Sequence, residues 1–592
     1  MEESYWSKIL RGRQATRRRL LTGAAGIAGS GLALSLIGCG GGSDDGNGDA
    51  SGLLGKAEDT TAKAVAGGVY PDFLGTDIHT MDPLLVSQRA SFGPMLYVYS
   101  LLLKAGISTS KKPGTAEVTG DAAESYELSA DGLTMTLKLR PNHKFDARPP
   151  TNGRAMDASD VKWSWDKFTT TGFYGGDYSN ARNPNSPVES LTTPDPRTLV
   201  FKLAFPFADI IELFAAENFF LQPKDDNFDF RADMRGSGPY VLQEYVGSSR
   251  IVFKKNPAWY DKPRPFFDEI RKPLLSEYAT GLAQFISGNV WSYPVNSADV
   301  LPTKRANPDL LMLAGTEPST GGGFWNFSKQ PDSVWKDPRV RRAFSMTIDR
   351  DLLLEAFFNT GEFTDAGLPL KLYWHSHIGA GHAEWVDPRG DGLGEGAKYF
   401  QYNIAEAKKL VEAAGLKTPV PSQLHTALGY NPARQKQDEI LAGHVSESGV
   451  FALTHDGLDY NTSWRRARES AGAGFPGILT HFQSGPTTDY ILNRTYTPEG
   501  SNAVSPEPIP GVTDLVYKQR REVDPQKRVA IMQDIQKQLA LEWPCVYYLG
   551  DVPSFSLRWP WLRNDGIFLT GGNSSRPFTY VWYDKALHEK HS

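Results

Sequence analysis

The segment Asp121–Phe168 constrains the possible folds more than any other stretch, because it predicts a hairpin, a loop and a capped helix in that order. Glu124–Leu128 and Leu133–Arg140 are two extended runs, and Asp131-Gly132 between them supplies the positive φ angles that a tight turn requires. The apolar residues of the second run alternate with polar ones: Leu133, Met135, Leu137 and Leu139. Such alternation predicts a strand with one face on a core and the other in water.

The helix that closes this segment is predicted from its first turn. Asp157 is followed three residues later by Asp160, which is the spacing of an N-cap with a reciprocal acid. Val161, Trp165 and Phe168 then recur at helical spacing on one side. An amphipathic helix packed on the hairpin is therefore expected.

Other helices are predicted by the same signals. Asp337-Pro338 is an N-cap followed by proline at the first helical position, and apolar residues follow at intervals of four: Val340, Phe344, Ile348 and Leu352. The arginines of this block are interpreted as helix surface and domain-packing ion pairs, not as catalytic groups. Asn403 and Asp524 are predicted to start two more helices, and Ser91–Leu103 is predicted to be helical throughout.

These blocks, in this order, resemble the family 5 extracellular solute-binding proteins, which are the oligopeptide-, dipeptide- and nickel-chelate-binding receptors of ABC importers. The motifs that carry the resemblance are Ala123-Glu-Ser-Tyr126, Asp131-Gly-Leu-Thr134, Gly236-Ser-Gly-Pro-Tyr240 and Asp337-Pro-Arg-Val-Arg341. The resemblance extends from about residue 67 to about residue 570, which is nearly the whole chain beyond its N-terminal segment.

The resemblance implies an α/β, two-lobed periplasmic-binding-protein-like fold of type II, with an extra small domain inserted in the first lobe. Residues 67–105, 190–305 and 548–592 are expected to form the first lobe, residues 106–189 the small domain, and residues 306–547 the second lobe. Such a protein closes on its solute by a hinge and passes it to the permease and ATPase of an importer. A monomer that needs no cofactor is expected.

The resemblance also indicates residues near the solute. Trp464 takes the place of an aromatic residue that approaches the ligand in peptide-binding members, and Trp325 and Asn326 lie in a strand close to the cleft. Phe482 belongs to Ile478–Pro486, which matches the stretch in which those members place an aspartate that pairs with the ligand's ammonium group, and Asp489 is the nearest acid after it. Ile478–Pro486 contains no acid here. Asp489 lies past Pro486, where a helix start is the plainer explanation, so the solute is predicted not to be held by a free α-amino group.

The N-terminus resembles an export signal. Arg17, Arg18 and Arg19 form a twin-arginine pattern before a Gly/Ala-rich apolar segment that ends at Cys39. Residues 1–39 are therefore predicted to be a twin-arginine lipoprotein signal peptide with Cys39 lipidated, and residues 40–66 a flexible tether. An uncleaved membrane helix is the alternative, although five glycines between Gly23 and Gly38 make a poor span. The expected location is extracytoplasmic, anchored to a membrane through the lipid.

Charge and motifs exclude several other functions. The first 39 residues carry six basic and two acidic side chains, a net charge of +4. Since the net charge of the whole chain is −5, the rest of the chain has a net charge of −9. An acidic body without a dense basic run beyond residue 19 is unsuited to nucleic acid. Neither a Gly-x-Ser-x-Gly elbow nor a phosphate-binding glycine loop is present. No enzymatic activity is expected. A secreted hydrolase exported through the twin-arginine route stays open as an alternative, as does a sensory receptor, folding helper or nickel-chelate-binding protein on the same scaffold.

One histidine cluster is a weak metal candidate. His375, His377 and His382 fall within eight residues, and imidazoles can hold a transition metal. Nickel-binding members of the family capture a chelated metal with few protein ligands, so the cluster is interpreted as polar loop residues and no metal site is predicted.

Overall fold

The computed structural model describes residues 49, 51–86, 89–109, 117–225, 227–315, 319–428, 432–483, 487–544, 546–552, 554–570 and 576–591. Cys39 and Cys545 lie outside the described residues, so lipidation of Cys39 stays a prediction.

The helices of the described part are α1 (Arg89–Val98), α2 (Ala158–Thr171), α3 (Gly175–Tyr178), α4 (Ile210–Ala215), α5 (Tyr278–Ile286), α6 (Ser297–Ala306), α7 (Pro338–Met346), α8 (Arg350–Phe358), α9 (Thr360–Asp365), α10 (Ile404–Ala413), α11 (Pro432–Glu447), α12 (Arg465–Glu469), α13 (Thr488–Tyr496), α14 (Thr513–Arg521), α15 (Pro525–Glu542) and α16 (Lys585–Glu589). A π-helical turn, Tyr460–Trp464, precedes α12.

The strands are β1 (Val69–Pro71), β2 (Leu103–Ala105), β3 (Ile107–Ser108), β4 (Val118–Gly120), β5 (Ala123–Leu128), β6 (Thr134–Leu139), β7 (Val188–Asp195), β8 (Thr198–Leu203), β9 (Tyr240–Val246), β10 (Arg250–Lys255), β11 (Glu269–Pro273), β12 (Leu311–Gly315), β13 (Gly322–Phe327), β14 (Tyr373–Trp374), β15 (Val420–Leu428), β16 (Phe451–Asp459), β17 (Ile478–Gln483), β18 (Gly550–Asp551), β19 (Ser554–Arg558), β20 (Leu562–Arg563), β21 (Leu569–Thr570) and β22 (Trp582–Tyr583).

Two large hydrophobic cores divide the chain into two lobes. The first core takes buried side chains between Tyr70 and Trp291, together with Trp561, Leu562 and Val581. It lies on two four-stranded sheets, with orders β1-β11-β10-β9 and β5-β6-β8-β7. The second core takes side chains between Phe324 and Leu549 and surrounds the sheet β13-β17-β15-β16. We call the bodies around these cores the first and second lobes; the small domain's limits stay a prediction.

The hairpin and the capped helix at the start of the first lobe are as predicted. Ala123–Leu128 pairs antiparallel with Thr134–Leu139, and Met135, Leu137 and Leu139 are buried. Asp157 accepts hydrogen bonds from the N–H groups of Ser159 and Asp160, and the Asp160 carboxylate accepts one from the Asp157 N–H. These three N–H donors at the start of the helix are thus satisfied locally, which is why the helix start could be predicted from a short sequence pattern.

The predicted helix Ser91–Leu103 is wrong over its last five residues, because the helix ends at Val98. The Val98 carbonyl accepts a hydrogen bond from the Gly238 N–H at 2.7 Å. Gly236 and Gly238 approach so closely that a β-carbon on either would lie within 2.7 Å of the Val98 carbonyl oxygen. Leu103–Ala105 then forms a strand with Val118–Gly120. The helix therefore ends through a contact with a segment distant in sequence.

The segment after Asp337, whose apolar residues recur at intervals of four up to Leu352, forms two helices, Pro338–Met346 and Arg350–Phe358. Asp337 caps the first helix, and Asp349 caps the second by accepting a hydrogen bond from the Leu352 N–H at 3.1 Å. Arg341 is buried and donates to the carbonyls of Trp335, Lys336 and Glu542. These contacts with backbone carbonyls pack the helix within the second lobe.

Two adjacent strands connect the lobes. Leu311–Gly315 leaves the first lobe and pairs antiparallel, residue for residue, with Ser554–Arg558, which returns to it. A third hydrophobic cluster packs against this ribbon through Met312, Phe555 and Leu557. Both connections therefore cross at the same place, as a hinge requires.

No helix among the described residues combines the length and apolar character needed to cross a bilayer.

Candidate functional site

The first lobe meets the second through a face that combines aromatic rings with carboxylates. This face follows helix Ala158–Thr171 and surrounds helix Ile210–Ala215. Its side chains in contact with the second lobe are Phe173, Tyr174, Asp177, Phe205, Phe207, Asp209 and Asn218.

The second lobe contacts this face with arginines from three consecutive helices, α13, α14 and α15. Thr487 caps α13 by accepting a hydrogen bond from the Tyr490 N–H at 3.3 Å, and Asp524 caps α15 through the N–H groups of Gln526 and Lys527. The side chains that these helices turn to the first lobe are Tyr490, Arg494, Arg520, Arg521 and Arg528.

Two ion pairs cross the junction. The Arg494 Nε donates to the Asp177 Oδ2 at 2.7 Å, with both side chains buried. Arg528 donates from both terminal nitrogens to the two oxygens of Asp209 at 2.5 Å each. Fork-shaped pairing of this kind is among the stronger hydrogen-bonding geometries in proteins. The pairs hold the lobes in one relative position.

Aromatic contacts support the first of these pairs. The Arg494 guanidinium lies 4.1 Å from the ring centroid of Tyr174 in the first lobe and 3.8 Å from that of Tyr490 in the second. The Asn218 amide donates to the Tyr490 hydroxyl at 3.1 Å. Burial lowers and the Asp177 carboxylate raises the pKa of Arg494, and the net direction is upward. The cation is therefore stacked as well as paired, which stabilises it out of water.

Asp489 is buried inside the junction. It lies in the first turn of α13, accepts a hydrogen bond from the Gln519 amide, and lies 3.3 Å from the Arg520 Nε. Burial raises the pKa of this carboxyl, although Arg520 and Arg528 oppose the shift. Asp489, Asp177 and Asp209 line a cavity of about 20 Å³ with Arg494 and Arg520. The Asp489 carboxylate is thus already paired with Gln519 and Arg520.

Trp464 lies in the second lobe, and Arg468 separates it from the first. Its ring stacks on Tyr460 at 5.3 Å and meets the His481 ring edge-on at 5.9 Å. The Arg468 guanidinium lies 5.6 Å from the Trp464 ring and 5.8 Å from the ring of Phe173 in the first lobe. The predicted aromatic residue and a buried arginine are therefore brought together where the lobes face each other.

The other predicted residues do not gather at this point. Trp325 is fully buried in the second core, with Phe344 and Tyr547 at 5.4 and 4.9 Å. Asn326 is equally buried, and its amide nitrogen and oxygen make no hydrogen bond within the described residues. Phe482 pairs with Gly323 in the sheet, and its side chain lies outside the described residues.

The three candidate histidines lie in a loop, and all three are buried. The Nε2 of His375 lies 2.8 Å from Asp551 Oδ2, that of His377 lies 2.7 Å from the Trp543 carbonyl, and that of His382 lies 3.1 Å from the Thr320 carbonyl. Across the described part of the chain, no three His, Cys, Asp or Glu side chains are placed to hold a metal ion. These imidazoles tie the segment to its own lobe.

Asp551 joins the hinge to this histidine segment. It accepts hydrogen bonds from the Ser319 N–H at 2.7 Å and the Tyr548 hydroxyl at 2.6 Å, besides its contact with His375. Burial raises its pKa, but His375 and these donors outweigh burial and hold the pKa at about 2. The carboxylate therefore stays charged and fixes the start of the returning strand.

A second buried carboxyl in the second lobe behaves differently. Asp438, in helix Pro432–Glu447, lies beside a cavity of about 10 Å³ with Arg434, Tyr547 and Tyr548. Burial raises its pKa to about 7, although Tyr547 and Arg434 favour the ionised form. Its Oδ1 makes no hydrogen bond within the described residues. Asp438 therefore changes between its protonated and ionised forms near neutral pH.

Sequence reasoning missed the ion pairs and Arg468. Asp177 and Arg494 are 317 positions apart, and no local pattern indicates such a pair. A signal for Arg468 was present, because Trp464 is followed by Arg465, Arg466 and Arg468. This short basic run beyond residue 19 was overlooked.

A protein family matches most of the chain. The profile described as "Bacterial extracellular solute-binding proteins, family 5 Middle" matches residues 117–503. A putative ABC transporter peptide-binding protein of Brucella ovis is 24% identical over 436 residues, which is 71% of this chain and 76% of that protein.

Solved structures share the fold. The ABC transporter-associated periplasmic binding protein DppA from Helicobacter pylori, in complex with the peptide STSA, superposes with a TM-score of 0.73 and 17% identity over 88% of this chain and 99% of that chain. The periplasmic binding protein AgaA of A. tumefaciens R10, in complex with agropinic acid, gives a TM-score of 0.69 and 20% identity over 88% and 99%. These likenesses confirm the predicted two-lobed, type II α/β fold.

Proposed function

The chain belongs to family 5 of the bacterial extracellular solute-binding proteins, and on that premise we propose that it delivers a peptide-like or other small solute to an ABC importer. Closure of the two lobes on the solute produces the form that the importer's permease and ATPase recognise. The protein acts as a monomer, without enzymatic activity, on the outer side of the membrane to which Cys39 anchors it.

The observation that carries this proposal is the charged and aromatic junction between two separate cores. Arg494 and Arg528 reach from the second lobe to Asp177 and Asp209 in the first, and the only covalent connections between the cores within the described chain pass through the ribbon of β12 and β19. Lobes that are joined on one side and paired by side chains on the other can open and close around a solute.

The solute is proposed not to be anchored by a free α-amino group. A buried ammonium needs a carboxylate partner, and Asp489 is already engaged by Gln519 and Arg520. The structurally similar proteins bind a peptide in one case and agropinic acid in another, so the fold accommodates solutes of different chemistry.

Mass spectrometry of small molecules released by denaturing the purified protein tests the receptor function directly. We expect one solute or a narrow set, which rebinds and makes the protein more compact in small-angle scattering. A protein that releases nothing, and that neither binds nor compacts with any member of a broad solute pool, contradicts the proposal.

Calorimetric titration tests the amine claim. A pool of di- to pentapeptides is compared before and after N-acetylation, with the wild type and with Asp489→Asn. Binding that acetylation and Asp489→Asn both abolish shows that an amine site exists at Asp489.

A further inference from the structure

Arg468 is a buried cation with little compensation from the protein. Only 8% of the residue is exposed, and neither its Nε nor its NH2 nitrogen makes a hydrogen bond within the described residues. Its ionic contact is with Glu469 at 3.6 Å, beyond hydrogen-bonding distance. Glu469 is itself exposed and is shared with Arg465, whose Nε lies closer, at 3.3 Å.

The other described neighbours of the guanidinium supply no negative charge. Trp464 and Phe173 present rings at 5.6 and 5.8 Å from it. Burial, and then the positive charge of Arg468, lower the pKa of His481 well below its ordinary value, so this imidazole is neutral. The His481 Nδ1 also makes no hydrogen bond within the described part of the chain.

The position of this group ties it to the space between the lobes. Arg468 belongs to the helix Arg465–Glu469 of the second lobe, directly after the π-helical turn Tyr460–Trp464, whereas Phe173 belongs to the first lobe. Irregular turns of this type are frequent at functional sites. Separation of the lobes would remove Phe173 from the guanidinium and open it to a solute that enters between them.

Removing a guanidinium from water without a partner is unfavourable, and folded proteins retain such groups mainly where function requires them. A planar carboxylate satisfies two guanidinium N–H groups at once, and rings beside it shield the pair from water. From this geometry we infer that Arg468 binds a carboxylate of the solute, and that the receptor therefore takes up organic acids, including peptides held by their acidic end. This inference rests on the proposed function and names the solute class for it.

The junction suits a solute with an anionic end better than one with a cationic end. The Asp489 carboxylate is already paired with Gln519 and Arg520, whereas Arg468 is an under-compensated cation that an anionic end of the solute can pair with. Trp464 and Phe173 provide ring faces for the apolar part of the solute beside its carboxylate.

The test uses the low-molecular-weight fraction of yeast extract as probe, both untreated and after its carboxyl groups have been amidated with methylamine. The mature protein is stripped of solute by mild denaturation and refolding, loaded with each fraction and dialysed. Retained molecules are identified by mass spectrometry and their affinities are measured by calorimetry. The variants are Arg468→Gln, Arg468→Lys and the matched control Arg466→Gln, since Arg466 is an exposed arginine of the same turn.

The wild type and Arg466→Gln are expected to retain carboxylate-bearing molecules from the untreated fraction and to lose them after amidation. Arg468→Gln should weaken binding roughly 30-fold or more, the usual scale for truncating one partner of a buried charged pair. Arg468→Lys keeps the positive charge but loses the paired N–H groups of the guanidinium, so its affinity should lie between those of the wild type and Arg468→Gln. The solute-free Arg468→Gln protein should also melt at a higher temperature than the solute-free wild type, because an uncompensated buried charge has been removed. A purely structural arginine gives the opposite shift.

Two results overturn the inference while leaving the receptor function intact: retention that amidation does not change, or equal affinity of the untreated solute for Arg468→Gln and the wild type. If Arg468→Gln fails to fold, the inference is still tested by whether the wild type loses its solutes after they are amidated, and by the affinity of Arg468→Lys. If the wild type releases no solute on the first denaturation and then retains nothing from either fraction, the proposed function fails, and this inference fails with it.

Discussion

The Arg494 Nε and the Asp177 Oδ2 lie 2.7 Å apart across the junction of the two lobes, although 317 positions separate them in the sequence. Both side chains are almost fully buried, at 3% and 8% exposure. An ion pair in this position holds the two lobes together and does not stabilise either lobe alone. Its removal should therefore change the shape of the protein as well as its stability.

Asp177→Asn is expected to favour the open form. The substitution leaves Arg494 buried without its carboxylate, which typically costs about 3–5 kcal/mol, and opening of the lobes relieves this cost by returning the guanidinium to water. Small-angle scattering of the solute-free variant should show a larger radius of gyration than the wild type, and its unfolding free energy should be lower. Asp177→Leu with Arg494→Met, which removes both charges, should recover part of the stability.

Asp166→Asn is the matched control for this change. Asp166 pairs with Lys162 on an exposed helix surface of the same lobe. Exposed pairs contribute about 0–1 kcal/mol, so this variant should match the wild type in size and nearly in stability. Equal radii and equal stabilities for Asp177→Asn and Asp166→Asn would contradict a role of the buried pair in closure.

Solute binding should close and stabilise the protein together. A solute that contacts both lobes binds the closed native form, and at about 100 times its dissociation constant it adds roughly 2.7 kcal/mol to the unfolding free energy. Denaturant titration measures this gain, and scattering measures the accompanying compaction. A tight-binding solute that alters neither quantity argues against closure.

Asp438 should make the stability depend on pH near neutrality. Its pKa is raised from 3.8 to about 7 in the folded protein, so between these values the folded state binds more protons than the unfolded state. Stability from this group is therefore present at low pH and is lost as pH rises through 7, with a slope of up to about 1.4 kcal/mol per pH unit.

The comparison that isolates this effect is the wild type against Asp438→Asn, which mimics the protonated acid. His377, whose pKa burial lowers to about 4, acts in the opposite direction below pH 6.5, but it is present in both proteins and cancels in the difference. Urea unfolding between pH 4 and 8 should give a wild-type advantage that declines with pH. A difference that is constant over this range would show that the Asp438 pKa is not raised.

The capping box at Asp157 offers a test of local stability. Asp157→Ala removes the acceptor for the N–H groups of Ser159 and Asp160 and should cost about 0.5–2 kcal/mol. Asp157→Ser, which restores an acceptor, should recover most of it in thermal unfolding. A loss that serine does not recover would indicate that the charge, through Lys224 at 3.6 Å, matters more than the cap.

Lipidation of Cys39 predicts how the protein partitions. Cys39→Ala should convert a detergent-partitioning, membrane-associated protein into a soluble or uncleaved one, because the acyl chains supply the membrane affinity. Replacement of Arg17, Arg18 and Arg19 together by lysine should block export, since the translocase reads the arginines as an address. Identical partitioning of the wild type and Cys39→Ala in a detergent phase-separation assay removes the lipoprotein assignment.

The sequence predicted those elements whose determinants are local. The hairpin at Asp131-Gly132 and the helices capped by Asp157, Asp337 and Asp524 depend on residues at most a few positions apart, and they are found where expected. The end of helix Arg89–Val98 depends on Gly236 and Gly238, about 140 positions away, and was misplaced.

The junction could be predicted only in part. The family resemblance predicts that Trp464 approaches the solute. The structure places its ring beside Arg468, which in turn lies beside Phe173 of the first lobe, and the role of Trp464 stays a prediction. Trp325 shows the limit of that approach, because a tryptophan on a strand covered on both faces has the same sequence pattern as one lining a cleft. The pairs of Arg494 and Arg528 join different lobes, so their partners could be identified only from the folded chain.

The paired strands Leu311–Gly315 and Ser554–Arg558 have a mechanical consequence. A single linker would let one lobe swivel and tilt freely about the other, whereas two hydrogen-bonded strands resist torsion and leave bending across the ribbon as the soft direction. Once the ion pairs between the lobes open, we expect thermal motion of the lobes to be confined largely to one angular coordinate. A partner that must touch both lobes at once then searches far fewer orientations, so the orientational entropy lost on docking is smaller.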